Sequence, residues 1–132
     1  MMKPNILVIE DNDQNLYLVT FMLESKGFNV IQAKDGPAGI ELAKTFQPAL
    51  ILLDIQLPGM DGYQVARQLS SDPMTKNINI VAVTSYAMMG DKERAFEAGC
   101  SGYIEKPINP ETFLTQIDEF LPENLKNCGG EF

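Results

Sequence analysis

The stretch ILLDIQLPGMDGY, Ile51 to Tyr63, decides how this chain is read. Three aliphatic residues lead into Asp54, and Pro58, Gly59 and Gly62 then turn the chain sharply. An unbroken apolar run bounded by turn residues matches a strand covered on both faces, as in a parallel sheet. A carboxylate is costly inside such a strand, so its place is where the strand stops and the fold opens.

Similar runs recur outward from this point at intervals of roughly 20 to 30 residues: ILVI at Ile6 to Ile9, FNVI at Phe28 to Ile31, ALILL at Ala49 to Leu53, INIVAV at Ile78 to Val83, and the weaker GYI at Gly102 to Ile104. Five strands are predicted. Helix-length segments separate them. The first runs from Asp13 to Lys26, with Asn12 and Asp13 as capping candidates, Leu16, Val19 and Leu23 on one face, and Gly27 as a stop. The second follows Asp35, Gly36 and Pro37, places Leu42, Ala43 and Phe46 on a buried stripe, and is blocked by Pro48. Helices are also predicted over Gly62 to Ser70, over Gly90 to Ala98, and from Asn109, Pro110 and Glu111 onward with Phe113, Ile117, Phe120 and Leu121 at helical spacing.

Strict alternation of strand and helix implies right-handed crossovers and a doubly wound α/β sheet. In such sheets ligands bind beyond the carboxyl ends of the strands, at a topological switch point. The residues that close each strand are therefore the ones to inspect. They are Glu10 and Asp11 after the first, Asp54 after the third, Thr84 and Ser85 after the fourth, and Lys106 after the fifth. Two carboxylates about 4 Å apart repel by roughly 4 kcal/mol at an effective dielectric near 20, so an acidic triad tends to bind protons or a cation. Hard oxygen donors in a shallow crevice suit Mg2+, which keeps several waters and takes one or two carboxylates. Taken singly, Glu10 and Asp11 also suit the capping of the first helix, and Asp54 a turn.

Composition restricts the chemistry. The 132 residues fit one domain, with residues 1–123 carrying the pattern and 124–132, lacking periodicity, expected as a flexible tail. The chain contains no His, which excludes a Ser/His/Asp triad, a Cys/His pair or a His-containing zinc site built from this chain alone. Cys100 and Cys128 fall in no disulfide or metal pattern. A net charge of -8 with no basic run opposes nucleic acid and anionic membranes. With no run long enough to cross a bilayer and no signal-peptide pattern, a cytoplasmic location is expected.

VIEDN at Val8 to Asn12, ILLDIQLPGMDG at Ile51 to Gly62, VAVTSYA at Val81 to Ala87 and AGCSGYIEKP at Ala98 to Pro107 together resemble the receiver domains of two-component response regulators, across almost the whole chain. The resemblance implies a flavodoxin-like fold, a five-stranded parallel sheet in the order 2-1-3-4-5 with five helices. It implies that Asp54 is the phosphoacceptor, taking a phosphoryl group from a histidine kinase or histidine phosphotransfer protein. Glu10, Asp11, Asp54 and the backbone carbonyl of Gln56 are then the Mg2+ ligands, and Lys106 and Thr84 contact the phosphoryl group. Thr84 and Tyr103 form a coupled switch in which Tyr103 turns from an exposed to a buried rotamer. Gln56 and Tyr86 tune the lifetime of the phosphoryl group, and the bond before Pro107 is cis. The fourth helix, fifth strand and fifth helix form the face for a downstream protein or a weak dimer, with Met88 and Met89 as adaptable contacts or core filler.

Competing readings fit less well. A dehalogenase-type phosphotransferase would place a second acid where Gln56 stands, and a flavodoxin would not place Glu10 and Asp11 in its phosphate loop. A receiver-shaped binding module that works without phosphorylation, or a receiver fragment of a larger regulator, are the remaining alternatives.

Overall fold

The computed structural model describes residues 3–85 and 90–122. Five strands alternate with five helices: β1 (Asn5–Ile9), α1 (Asp13–Ser25), β2 (Asn29–Ala33), α2 (Gly36–Phe46), β3 (Leu50–Asp54), α3 (Gly62–Ser71), β4 (Asn79–Thr84), α4 (Asp91–Glu97), β5 (Gly102–Glu105) and α5 (Pro110–Asp118). All pairings are parallel, in the order β2-β1-β3-β4-β5. Each element lies within a residue or two of its expectation, except that α5 ends at Asp118, before Phe120 and Leu121.

The apolar runs are continuous because alternate residues serve different cores. Leu7, Ile9, Ile51, Leu53, Ile80 and Ala82 face one side, where α2, α3 and α4 pack through Ile40, Ala43, Val65, Leu69 and Ala95. Ile6, Val8, Leu50, Leu52, Val81 and Val83 face the other, against Leu16, Val19 and Leu23 of α1 and Phe113 and Ile117 of α5. A parallel strand covered on both faces has no position left for alternating polar residues. Of the stripe expected on α2, Ala43 is fully buried and Leu42 only partly so. Ile40 is also buried, but Phe46 is 48% exposed. It is the last residue of the helix, and Gln47 then enters the left-handed region at φ 47, so the final turn lies at the margin of the sheet.

Side chains fix where the helices begin. The Asn12 side chain accepts the Asn15 N–H at 3.0 Å, and the Asp35 side chain accepts that of Ala38 at 2.9 Å. Asp61 and Gln64 complete a reciprocal capping box at the start of α3. These caps start α1 two residues after Asp11, and α3 at Gly62 after the turn that follows Asp54. The strand order reverses at β1, the chain passing first to β2 and then to β3 on the other side, and a crevice opens beyond the ends of β1 and β3.

Candidate functional site

Glu10, Asp11 and Asp54 meet in this crevice, each offering a carboxylate oxygen within 4.8 Å of the others. Asp54 is the last residue of β3 and is still paired in register with Val83 of β4. It is held rigidly: the Ile55 N–H donates to the Val83 carbonyl at 3.1 Å, and the Gln56 N–H donates to Asp54 Oδ1 at 3.0 Å. The turn then brings Gly62 directly behind it. The Gly62 N–H donates to the Ile55 carbonyl at 2.9 Å, and a Cβ there would lie 2.5 Å from Ile55 Cα and 2.7 Å from the Asp54 carbonyl oxygen. Only glycine permits that approach. Gly59, with φ 73, supplies the left-handed residue the turn requires.

Glu10 and Asp54 are each only 4% exposed, whereas Asp11 faces solvent. Behind the buried pair lies an apolar recess of about 10 Å3, bordered by Val8, Val19, Leu52, Val83, Ile108 and Phe113, with room for about one water. This apolar backing has an electrostatic consequence. Burial, followed by a shared hydrogen bond with Asp54, pushes the Glu10 carboxyl from 4.5 up to about 7, against the opposing effect of Lys106. Two adjacent buried carboxylates cannot both ionise cheaply unless positive charge is brought to them.

Lys106 enters from the end of β5, where its N–H donates to the Thr84 carbonyl at 2.7 Å. Its ammonium lies 2.7 Å from Glu10 Oε1 and 3.6 Å from Asp54 Oδ2. The second Glu10 oxygen, Oε2, accepts the Asn12 N–H at 3.2 Å. Lys106 is thus bonded to Glu10 and only near Asp54, an arrangement the linear sequence does not disclose. The Lys106–Pro107 bond is cis.

Thr84 ends β4 beside Asp54 and is buried. Tyr103 lies on β5 and packs against the core shared by α3 and α4; its hydroxyl is enclosed and has no hydrogen-bond partner among the described residues. Gln56 is exposed at the mouth of the crevice. Tyr86, Met88 and Met89 lie outside the described residues, as does the segment 123–132. Sequence reading missed two features. The first is the apolar strip on α1, where Tyr17 and Phe21 stack with their rings 6.5 Å apart and, with Leu18, remain exposed. The helical spacing of residues 17, 18 and 21 signals it. The second is Arg94 of α4, whose guanidinium sits 4.1 Å from the ring centroid of Tyr63; no sequence spacing indicates that contact.

The oxygen donors fit a hard divalent cation: three carboxylates converge, one of them open to solvent, leaving room for retained waters. No described helix is long and apolar enough to cross a membrane.

Known proteins share this architecture. The sequence profile of the response regulator receiver domain matches residues 6–118. The polar-differentiation response regulators DivK of Brucella anthropi and Brucella ovis are each 38% identical over 120 residues, covering 91% of this chain and 98% of theirs. The receiver domain of a sensor histidine kinase from Pseudomonas aeruginosa, a structure with a magnesium ion coordinated in its active-site cleft, superposes with a TM-score of 0.83 at 29% identity, over 90% of this chain and 98% of that one. A chemotaxis protein of Vibrio cholerae shares the fold, with a TM-score of 0.86 at 24% identity over 91% of this chain and all of that one. With the strand order, the acidic crevice and the matched residues in agreement, the chain belongs to the response regulator receiver domains of two-component signalling.

Proposed function

We propose that Asp54 is the phosphoacceptor of a phosphorylation-activated regulator, and that its donor is a phosphohistidine on a kinase or phosphotransfer protein. The observation that carries this reading is the position of Asp54. It is a carboxylate fixed at the end of a fully buried strand, with Lys106 Nζ 3.6 Å from one oxygen and two further acids beside it. Because these 132 residues contain no His, the donor imidazole lies outside them.

In the reaction an Asp54 oxygen attacks phosphorus in line, the P–N bond to the donor imidazole breaks, and that nitrogen recovers a proton. Positioning and charge neutralisation dominate such transfers. Glu10, Asp11, Asp54 and the Gln56 carbonyl would hold Mg2+, which supplies positive charge to the phosphoryl oxygens when bound. Glu10 must first lose its proton, and Lys106 must turn from Glu10 towards the phosphoryl group. Thr84 donates its hydroxyl to that group, and Tyr103, whose ring already packs inward with its hydroxyl enclosed, is the second member of the switch. Gln56 and Tyr86 limit the approach of water and so set the lifetime of the acyl phosphate. Output is binding of a protein at the face of α4, β5 and α5, by a domain spanning residues 1–123 that works in the cytoplasm as a monomer or weak dimer.

The test is intact mass after incubation with Mg2+ and acetyl phosphate. A gain of one phosphoryl group, lost with EDTA and lost in Asp54→Asn, is expected. An equal gain in Asp54→Asn would refute the assignment.

A further inference from the structure

The turn from Ile55 to Asp61 brings Gln56 to the mouth of the crevice, and Gln56, Pro58 and Gly59 within it are exposed. An exposed turn keeps one conformation only where side chains tie it down. At its base the Gly62 N–H is bonded to the Ile55 carbonyl, and Leu57 enters the core on the side of α2, α3 and α4. Its far end is held by Met60, a partly buried side chain that the phosphoryl chemistry does not use. Met60 lies directly over the first residue of α2. A Cβ built on Gly36 would stand 2.7 Å from Val65 Cγ2, 3.2 Å from Met60 Sδ and 3.3 Å from Met60 Cβ, so the thioether side chain packs against backbone that only glycine leaves open. From α3 the Gln68 amide Nε2 reaches the same sulfur at 4.0 Å. Met60 is thus clasped between α2 and α3. The α2 side of the clasp leads back to the acids: the Ala33 carbonyl, three residues before Gly36, accepts the Glu10 N–H at 2.9 Å.

We propose that Met60 is a positioning residue for the divalent cation: seated on Gly36, it fixes the turn that presents the Gln56 carbonyl and ties that turn to the strand end bonded to Glu10. The inference rests on the reading of Asp54 as the phosphoacceptor, with the Gln56 carbonyl among the Mg2+ ligands. Asp54 and Glu10 already sit on paired strands, β3 and β1. The contact of Met60 with Gly36 connects them a second time, around the outside of the crevice, through the turn and the end of β2. Such a brace matters for magnesium because the ion demands near-ideal octahedral geometry, so a carbonyl on a wandering turn is a poor ligand. Residues that orient a ligand without touching the metal are commonly worth a factor of ten or more in affinity. Methionine suits the place, since an unbranched, polarizable chain fills an irregular gap between two helices without a strict demand on shape. Its sulfur lies against α2 and α3, so Met60 acts through the turn and not by contact with the reacting atoms.

The experiment compares the full chain with Met60→Ala, which opens the clasp, and Met60→Leu, which refills it without sulfur. Amide exchange read by NMR after EDTA treatment reports the turn without metal. The Gln56 N–H, bonded to Asp54 Oδ1, and the Gly62 N–H, bonded to the Ile55 carbonyl, should exchange about tenfold faster in Met60→Ala and within about twofold of the parent in Met60→Leu. The Cys100 N–H, bonded to the Ala95 carbonyl, should keep the parent rate, which a general loosening of the fold would not allow. Titration with Mg2+, followed on the same resonances, should give about tenfold weaker binding in Met60→Ala, restored in Met60→Leu. Exchange or Mg2+ affinity in Met60→Ala equal to that of the parent would overturn the proposal, as would a Met60→Leu variant as impaired as Met60→Ala. Phosphorylation of the parent by acetyl phosphate tests the underlying reading separately. If the parent gains no phosphoryl group, or Asp54→Asn gains as much, that reading fails, while the metal-free exchange still decides whether Met60 holds the turn.

Discussion

The proton that burial holds on Glu10 makes stability depend on pH in a direction opposite to that of a carboxylate whose pKa is lowered by a salt bridge. In the folded chain Glu10 holds its proton up to about 7, against 4.5 for the ordinary group. Between these values the folded state binds more protons than the unfolded one, so the Glu10 contribution is present in full below 4.5 and is lost as pH rises to about 7. A difference of about 2.5 in pKa, at about 1.4 kcal/mol each, sets this contribution at about 3 kcal/mol as an upper value. Burial of Glu10 at 4% exposure leaves little water to screen it. The assay is urea unfolding of the EDTA-treated protein at a series of pH values, beside Glu10→Gln, a neutral isostere that does not titrate. The parent-minus-variant stability should fall by up to about 3 kcal/mol from pH 4.5 to 7. A difference that stays flat or rises over that interval would refute the raised Glu10 pKa.

Three further outcomes follow from contacts. Lys106→Met removes the cation bonded to Glu10 and near Asp54, and at pH 8 should destabilise the fold by about 3 kcal/mol in urea unfolding, because it leaves buried charge uncompensated. Gly62→Ala drives a Cβ against Ile55 Cα and the Asp54 carbonyl; it should cost about 3 kcal/mol and slow Asp54 phosphorylation by acetyl phosphate at least tenfold, a result that unchanged kinetics would contradict. Asp61→Ala breaks the capping box of α3 and should lower stability by about 1 kcal/mol, visible as an earlier urea midpoint at constant slope.

How far the sequence discloses this molecule depends on whether the determinant is local. The strands were legible because burial on both faces makes apolar runs such as Ile51 to Leu53 continuous, and the helices because caps such as Asp35 and stops such as Gly27 act within a few residues. Convergence of Glu10, Asp11, Asp54 and Lys106 followed from topology alone, since parallel strands place their last residues on one edge. What escaped depends on packing. Phe46 satisfies helical spacing but lies beyond the edge of the sheet, and periodicity does not register where a sheet ends. That Lys106 lies closer to Glu10 than to Asp54, while paired with both, is a matter of about 1 Å between side-chain positions, 2.7 against 3.6 Å. The contact of Tyr63 with Arg94 joins residues of two helices whose mutual rotation no sequence period specifies.

The central claim is that Asp54, and no other carboxylate of the crevice, carries the phosphoryl group. Borohydride reduces an acyl phosphate to the alcohol and releases phosphate, so a phosphorylated aspartate becomes homoserine at its own position. Reduction after treatment with Mg2+ and acetyl phosphate, followed by peptide sequencing by mass, should place homoserine at position 54. Modification at Asp11 or Glu10 instead, or none at 54 in protein shown to carry the phosphoryl group, would contradict the account.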